Sequence, residues 1–231
     1  MDVRKLPGTI IASPTTRRAI YTPPQGESIV REKLANWADF IHNSDEVDPL
    51  VRMAIAHYQF EAIHPFDDGN GRTGRILNIL MLVDAGLLAS PILYLSRFII
   101  AHKDDYYRLL LDVTTDAAWE QWVLFMLAAV EATAITTLAK IDAIQALQAA
   151  VREQLRGTSA GANSDLLDVL FEQPYSRIAD VIKQCAVSRP TATKWLNELV
   201  ALGVLRDVKA GRDRLFINQR FLDILMREEE G

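Results

Sequence analysis

The chain has 231 residues, 49% of them hydrophobic, and a formal net charge of −5. That is enough apolar material for one large or two small domains, and the charge gives no global pull toward nucleic acid. One cysteine, Cys185, excludes an internal disulfide framework and any multi-cysteine zinc site.

No apolar run reaches the ~18 residues of a membrane span. The start, "MDVRKLPGTI", lacks the charged-then-apolar pattern of a secretory signal. A soluble, cytoplasmic protein without a membrane partner is the expectation.

Residues 7–29 are rich in Pro, Gly, Ser and Thr. "TIIA" and "AIYT" flank "SPTTRR", which predicts a β-hairpin over about residues 8–23. "TPPQG" then breaks the second strand. From Glu27 the pattern turns helical: Leu34, Trp37, Ala38 and Ile41 fall on one face. Asp48-Pro49 reads as an N-cap with a first-turn proline, opening a helix that runs up to His64. "RTGRILNILMLVDAGLL" predicts a buried helix with Gly86 at its C-cap. Helices follow in "HKDDYYRLLLDVTT" and in the long stretch from Ala117 to Leu155. "RGTSAGANS", residues 156–164, is small and polar and reads as a linker. The expected division is thus a first domain at 1–157 and a second at 164–231, mainly helical throughout.

The segment "HPFDDGNGRTGR", residues 64–75, concentrates chemistry. A helix beginning near Asn70 offers free N–H groups and a partial positive charge to an anion. Gly69 and Gly71 let an anion approach the backbone and permit positive φ angles. Asn70 can add a side-chain donor to the same hollow. Arg72 and Arg75 share a helix face and carry guanidinium forks suited to phosphate oxygens. These features predict a polyphosphate site. Such a ligand normally brings Mg²⁺, for which Asp68 is the candidate carboxylate, with Asp67 pointing elsewhere. His64, set before the helix-ending Pro65, is a candidate base for an attacking hydroxyl. Base, metal and anion hole are the parts of phosphoryl or nucleotidyl transfer.

"HPFDDGNGRTGR" resembles the defining motif of the Fic family, H-P-F-x-[D/E]-G-N-G-R-x-x-R, at every fixed position. The resemblance extends over about residues 7–150 and implies a helical bundle with a β-hairpin flap. Its members mostly transfer AMP from ATP to a Ser, Thr or Tyr hydroxyl of a protein, releasing pyrophosphate. By that resemblance His64 is the base, Phe66 anchors the loop, and Asp68 holds Mg²⁺. Gly69, Asn70 and Gly71 cradle the phosphates with Thr73 and Gly74 beside them, and Arg72 and Arg75 bind the outer phosphates. Tyr106 and Tyr107 would flank the base or ribose, although either equally suits core packing. Ala19, Ile20 and Tyr21 on the flap would cover the nucleotide and pair with the target backbone as an added strand.

Relatives of the Doc type, which phosphorylate instead, carry lysine where this chain has Gly71, so the glycine supports AMP transfer. An inhibitory pattern known in the family, [S/T]-x-x-x-E-[G/N], is not found, which predicts a chain active without release. Self-modification and pairing of two copies are further implied partners.

Beyond residue 164, "LLDVLFEQP" and "SRIADVIKQCAV" predict two helices, the second capped by Ser176. "SRPTATKWLNELVALGVL" opens at Ser188 and ends at Gly203, and "LRDVKAGRDRLFIN" alternates as a hairpin. This order resembles a winged helix-turn-helix. Six basic residues between Ser188 and Arg214 stand against three acids, a modest local excess. Arg189, Thr191 and Lys194 are candidates for base contacts, and Arg212 and Arg214 for phosphate contacts. Two functions therefore compete: a Mg²⁺-ATP-dependent protein adenylyltransferase, and a nucleotide-sensing regulator or toxin–antitoxin component that binds DNA. The intact His64 favours the enzyme, because a sensor needs no base.

Overall fold

A computed structural model describes residues 2–5, 8–12, 19–161, 163–211 and 213–227. The chain divides into two compact units, residues 1–135 and 136–231.

The first unit opens with the expected hairpin. Strands β1 (Ile11–Ala12) and β2 (Ala19–Tyr21) pair antiparallel, Ile11 opposite Tyr21. Gln25 ties off the base of the hairpin: its Oε1 accepts from the Gly8 N–H at 2.7 Å and its Nε2 donates to the carbonyls of Thr9 and Pro23. Helix α1 (Glu27–Asn43) follows, then α2 (Pro49–Ile63) and α3 (Asn70–Asp84). The Asp48 carboxylate accepts from the Leu50 and Val51 N–H groups, so the sequence-predicted cap is formed. Gly86 adopts φ 71° just past the end of α3, the left-handed turn a C-terminal glycine supplies. A short helix α4 (Leu95–Ala101), which no periodicity announced, precedes α5 (Lys103–Asp116) and the long α6 (Trp119–Arg156). The core of this unit gathers Met53, Ala54, Leu82, Leu95, Tyr106, Trp122 and Met126, all buried.

The boundary between units falls inside α6, not at residues 156–164. Those residues are no flexible linker. Ala160 is buried in the second core, and the Ser159 N–H and hydroxyl both donate to the Glu198 carboxylate. Small residues here permit a tight turn: a Cβ at Gly161 would lie 2.9 Å from the Leu155 and Arg156 carbonyl oxygens. Helix α6 is also long and apolar enough to cross a bilayer, with mean hydropathy 1.8 over 18 residues. The sequence expectation missed this. In both units, however, α6 supplies core residues, Trp122, Met126 and Ala129 in the first and Leu147, Val151 and Leu155 in the second.

The second unit continues with α7 (Asp165–Glu172), β3 (Tyr175–Ser176), α8 (Ile178–Cys185) and α9 (Arg189–Ala201). Then come β4 (Arg206–Ala210), β5 (Asp213–Ile217) and α10 (Gln219–Met226). The strands form an antiparallel sheet in the order β3-β5-β4. Ser188 caps α9 as predicted. Ser176 does not cap α8, because it is buried in β3. Arg177 takes that place, with the Asp180 carboxylate accepting from the Arg177 N–H at 2.7 Å.

Candidate active site

The site is built where α2 ends and α3 begins. Pro65 cannot continue α2, so the helix closes on His64 in a left-handed conformation, φ 49° and ψ 60°. That conformation is uncommon without a glycine, and it leaves the last carbonyls of α2 needing partners. Side chains from far upstream supply them. Arg4, only 1% exposed, donates from Nε to the His64 carbonyl at 2.7 Å and from Nη2 to the Ile63 carbonyl at 3.2 Å. The same Nη2 donates to the Pro24 carbonyl at the foot of the hairpin. The Arg4 N–H donates to the Pro65 carbonyl at 2.9 Å, and the Tyr21 hydroxyl donates to the Ala62 carbonyl at 2.9 Å. A cation at the negative end of a helix dipole is also electrostatically favoured.

The imidazole of His64 is half-buried. Burial holds its pKa below the usual histidine value, with the Arg4 charge acting the same way. The ring is therefore neutral at pH 7. Its Nδ1 is buried and faces the α2 backbone near the Glu61 main chain, which acts against the lowering; this leaves Nε2 as the nitrogen able to meet a hydroxyl.

The loop from Pro65 to Gly69 is held from within. Phe66 packs on Phe60 at 6.2 Å. The Asn70 amide accepts from the Phe66 N–H and donates to the Phe66 carbonyl, both at 2.8 Å, and the residue is 2% exposed. Asn70 thus shapes the loop from within. Gly69 precedes α3 with φ 83°, and no side chain caps the helix. The first N–H groups of α3 are consequently open to an anion. Asp68 and Arg72 pair at 3.1 Å, both exposed at the loop's surface, and Asp67 is also exposed.

Arg75, partly buried, donates from Nε to Ser96 Oγ at 2.8 Å. Gly71 is packed beneath it: a Cβ there would lie 3.1 Å from Arg75 Nη1. Thr73 contributes its N–H to the Gly69 carbonyl at 2.9 Å, the first bond of the helix. Gly74 is buried against α2, and a Cβ on it would come 2.7 Å from Glu61 Oε1 and 3.1 Å from His57 Cε1. The missing side chain lets α3 pack closely on α2 at this point.

The two tyrosines part company. Tyr106 is 3% exposed, its hydroxyl lies 2.9 Å from His57 Nε2, and its ring packs with Trp122 and Phe125. It is packed in the core, the alternative that its sequence left open. Tyr107 is 54% exposed, with Lys103 Nζ 6.0 Å from its ring centre. On the hairpin, Tyr21 anchors the flap through its hydroxyl. The strand β2 carries Ala19 and Ile20, whose side chains lie outside the described residues.

Sequence reasoning missed Arg4, Glu61 and His57. Arg4 gave no signal, because its partners lie some sixty positions away. Glu61 and His57 did give one, as an acid and a histidine inside the apolar run "MAIAHYQFEAI".

In the second unit Arg189 and Lys194 are exposed on α9, and Lys194 lies 3.8 Å from Glu198. Thr191 is engaged in the cap with Ser188. Arg214 pairs with Asp207 and donates to Asn197 at 3.1 Å. Arg212 lies outside the described residues.

Residues 3–82 match the Fic/DOC family, and residues 136–221 match the C-terminal domain of SoFic-like protein adenylyltransferases. The chain therefore carries a Fic/DOC domain, built around the loop described above. That domain is followed by a SoFic-like C-terminal domain. Over 68 residues the chain is 41% identical to protein adenylyltransferase fic-1 of Caenorhabditis briggsae, covering 29% of this chain and 13% of that protein. Over 63 residues it is 40% identical to protein adenylyltransferase Fic of Drosophila virilis, covering 27% and 13%. The matched stretch is thus a small part of either relative. A Fic family protein from Desulfovibrio desulfuricans G20 superposes with a TM-score of 0.51 at 25% identity, over 94% of this chain and 62% of that one.

Proposed function

We propose that the chain is a protein adenylyltransferase, moving AMP from ATP to a Ser, Thr or Tyr hydroxyl of a protein. The observation that carries this reading is a neutral, half-buried His64 on the same loop as an uncapped helix start and two arginines. The hydroxyl oxygen bonds to the α-phosphorus, and the bond from that phosphorus to its bridging oxygen breaks. Pyrophosphate leaves with the electron pair, and the hydroxyl proton passes to His64. The N–H groups opening α3 take up the negative charge that builds on the α-phosphate oxygens. Arg72 and Arg75 hold the outer phosphates, and Tyr107 offers its exposed ring to the base.

Mg²⁺ fits this site only in one manner. No cluster of three or more His, Cys, Asp or Glu is present among the described residues. Mg²⁺ bound chiefly by phosphates and water needs as little as one carboxylate, and Asp68 is exposed beside the loop. Asp68 would hold the ion against the phosphates, where it neutralises their charge.

Incubation with ATP labelled on the α-phosphate, and separately on the γ-phosphate, tests the reading, with the chain itself as first acceptor. AMP transfer leaves only the α label on protein. Retention of the γ label would mean phosphorylation.

A second reading, favoured by the exposure of Arg189 and Lys194 on α9, is that the second unit is a winged helix that binds DNA. Duplex binding that weakens with salt, and weakens further in Arg189→Ala, would support it. Salt-insensitive or absent binding would remove it.

A further inference from the structure

Behind the anion loop lies a carboxyl group with no part in the chemistry above. Glu61 is on α2, one turn ahead of His64. Its Oε1 is buried and accepts no hydrogen bond among the described residues. The start of α3 lies against it, with Oε1 2.7 Å from a Cβ placed on Gly74 and 3.8 Å from one placed on Gly71. That Gly71 position is also 3.1 Å from Arg75 Nη1. Carboxyl and guanidinium therefore flank one point beneath the loop. Yet no ion pair joins them among the described residues, and Arg75 Nε donates instead to Ser96 Oγ at 2.8 Å. The further polar groups around Glu61 are His57 on α2 and Tyr106 on α5. They bond to each other at 2.9 Å, not to the carboxyl.

We infer that Glu61 is the internal counter-charge of Arg75, a positioning residue that sets how tightly the site grips the outer phosphates of a nucleotide. The inference rests on reading residues 64–75 as a nucleotide site. A carboxylate and an arriving phosphate compete for one guanidinium, and their like charges repel. With Glu61 ionised, part of the Arg75 charge is already answered. With Glu61 neutral, all of it faces the phosphate. Burial raises the Glu61 pKa to about 7, against the opposing pull of Arg75, so both states are reached near neutrality. Linkage requires the converse: a bound polyphosphate that draws on Arg75 favours the protonated carboxyl. AMP, lacking outer phosphates, does not engage Arg75 and is indifferent to Glu61.

Calorimetric titration of the full chain with ATP and with AMP, without metal, separates this from a structural role. At about pH 8, where wild-type Glu61 is ionised, Glu61→Gln should bind ATP about five- to tenfold more tightly than wild type. At about pH 6 the two should converge, and at each pH the two chains should bind AMP equally well. The titration of ATP itself is common to both chains and cancels in the ratio. Arg75→Ala gives a second test that does not depend on how Glu61→Gln folds. Without the guanidinium, ATP affinity should lose the weakening toward high pH that wild type shows beside it. A ratio that does not change with pH, or an equal change for AMP, overturns the inference while leaving the nucleotide site intact. Failure of the wild-type chain to bind ATP at all overturns both.

Discussion

Arg4 Nε donates to the carbonyl of His64 at 2.7 Å, across sixty positions of sequence. Through that bond, and those to Ile63 and Pro24, one guanidinium holds the base, the end of α2 and the foot of the hairpin in fixed relation. Arg4→Lys keeps the charge but cannot present the planar fork to three carbonyls. The expected result is a loss of about 2 kcal/mol in stability, with a larger fall in kcat than in ATP affinity. Denaturant unfolding and single-turnover labelling measure the two. An unchanged kcat would mean that His64 is positioned without Arg4.

Gly74 lies against α2 with no room for a side chain. In Gly74→Ala the new methyl meets Glu61 Oε1 at 2.7 Å and His57 Cε1 at 3.1 Å unless one helix shifts. The expected cost is about 1–3 kcal/mol. A thermal melt checks this, and a variant as stable as wild type would show that Glu61 swings aside freely.

Local chemistry was legible in the sequence. Asp48-Pro49, Gly69 and Ser188 sit at helix ends because caps and turns are decided within a few residues. The hairpin and the anion loop were legible for the same reason. Partners distant in sequence were not, which is why Arg4 and the bond from the Tyr21 hydroxyl to the Ala62 carbonyl went unseen. The Asn70 bonds went unread on a different ground: two main-chain groups of Phe66 need partners inside the loop, and the amide meets both. Tyr106 and Tyr107 are adjacent on α5 and so face different sides, which composition cannot reveal. The packing of Ser159 and Ala160 was not legible, because small residues serve a packed turn as well as a flexible one.

Two buried groups make opposite contributions to stability against pH. Glu61, raised to about 7 by burial, binds its proton more tightly when folded, so stability falls as pH rises from the ordinary glutamate value of 4.5 through about 7. His57, lowered by burial to about 4, binds its proton less tightly when folded. Its contribution is complete above 6.5 and is lost as pH falls toward about 4. Between these limits the two slopes oppose each other. In Glu61→Gln only the histidine remains, so the variant should gain on wild type steadily as pH rises toward neutrality. Unfolding free energies at a series of pH values check the sign. A variant that loses ground as pH rises would contradict it.

Tyr106 and Tyr107 give a contrast within one helix turn. Tyr106→Phe removes the partner of His57 Nε2 and should cost about 1 kcal/mol of stability, leaving the KM for ATP unchanged. Tyr107→Ala should leave stability unchanged and weaken ATP by about 1 kcal/mol through lost stacking. Melts and KM values for both variants decide. A Tyr106→Phe defect confined to KM would restore that residue to the nucleotide site.

The account stands on His64 acting as base toward a hydroxyl and not as a nucleotide ligand. The direct test is to compare wild type and His64→Ala for transfer of α-labelled AMP onto protein and for equilibrium ATP binding. Wild type should label protein, and His64→Ala should lose about 10²–10⁴ in rate while binding ATP with nearly unchanged affinity. Transfer by His64→Ala at the wild-type rate would contradict the account.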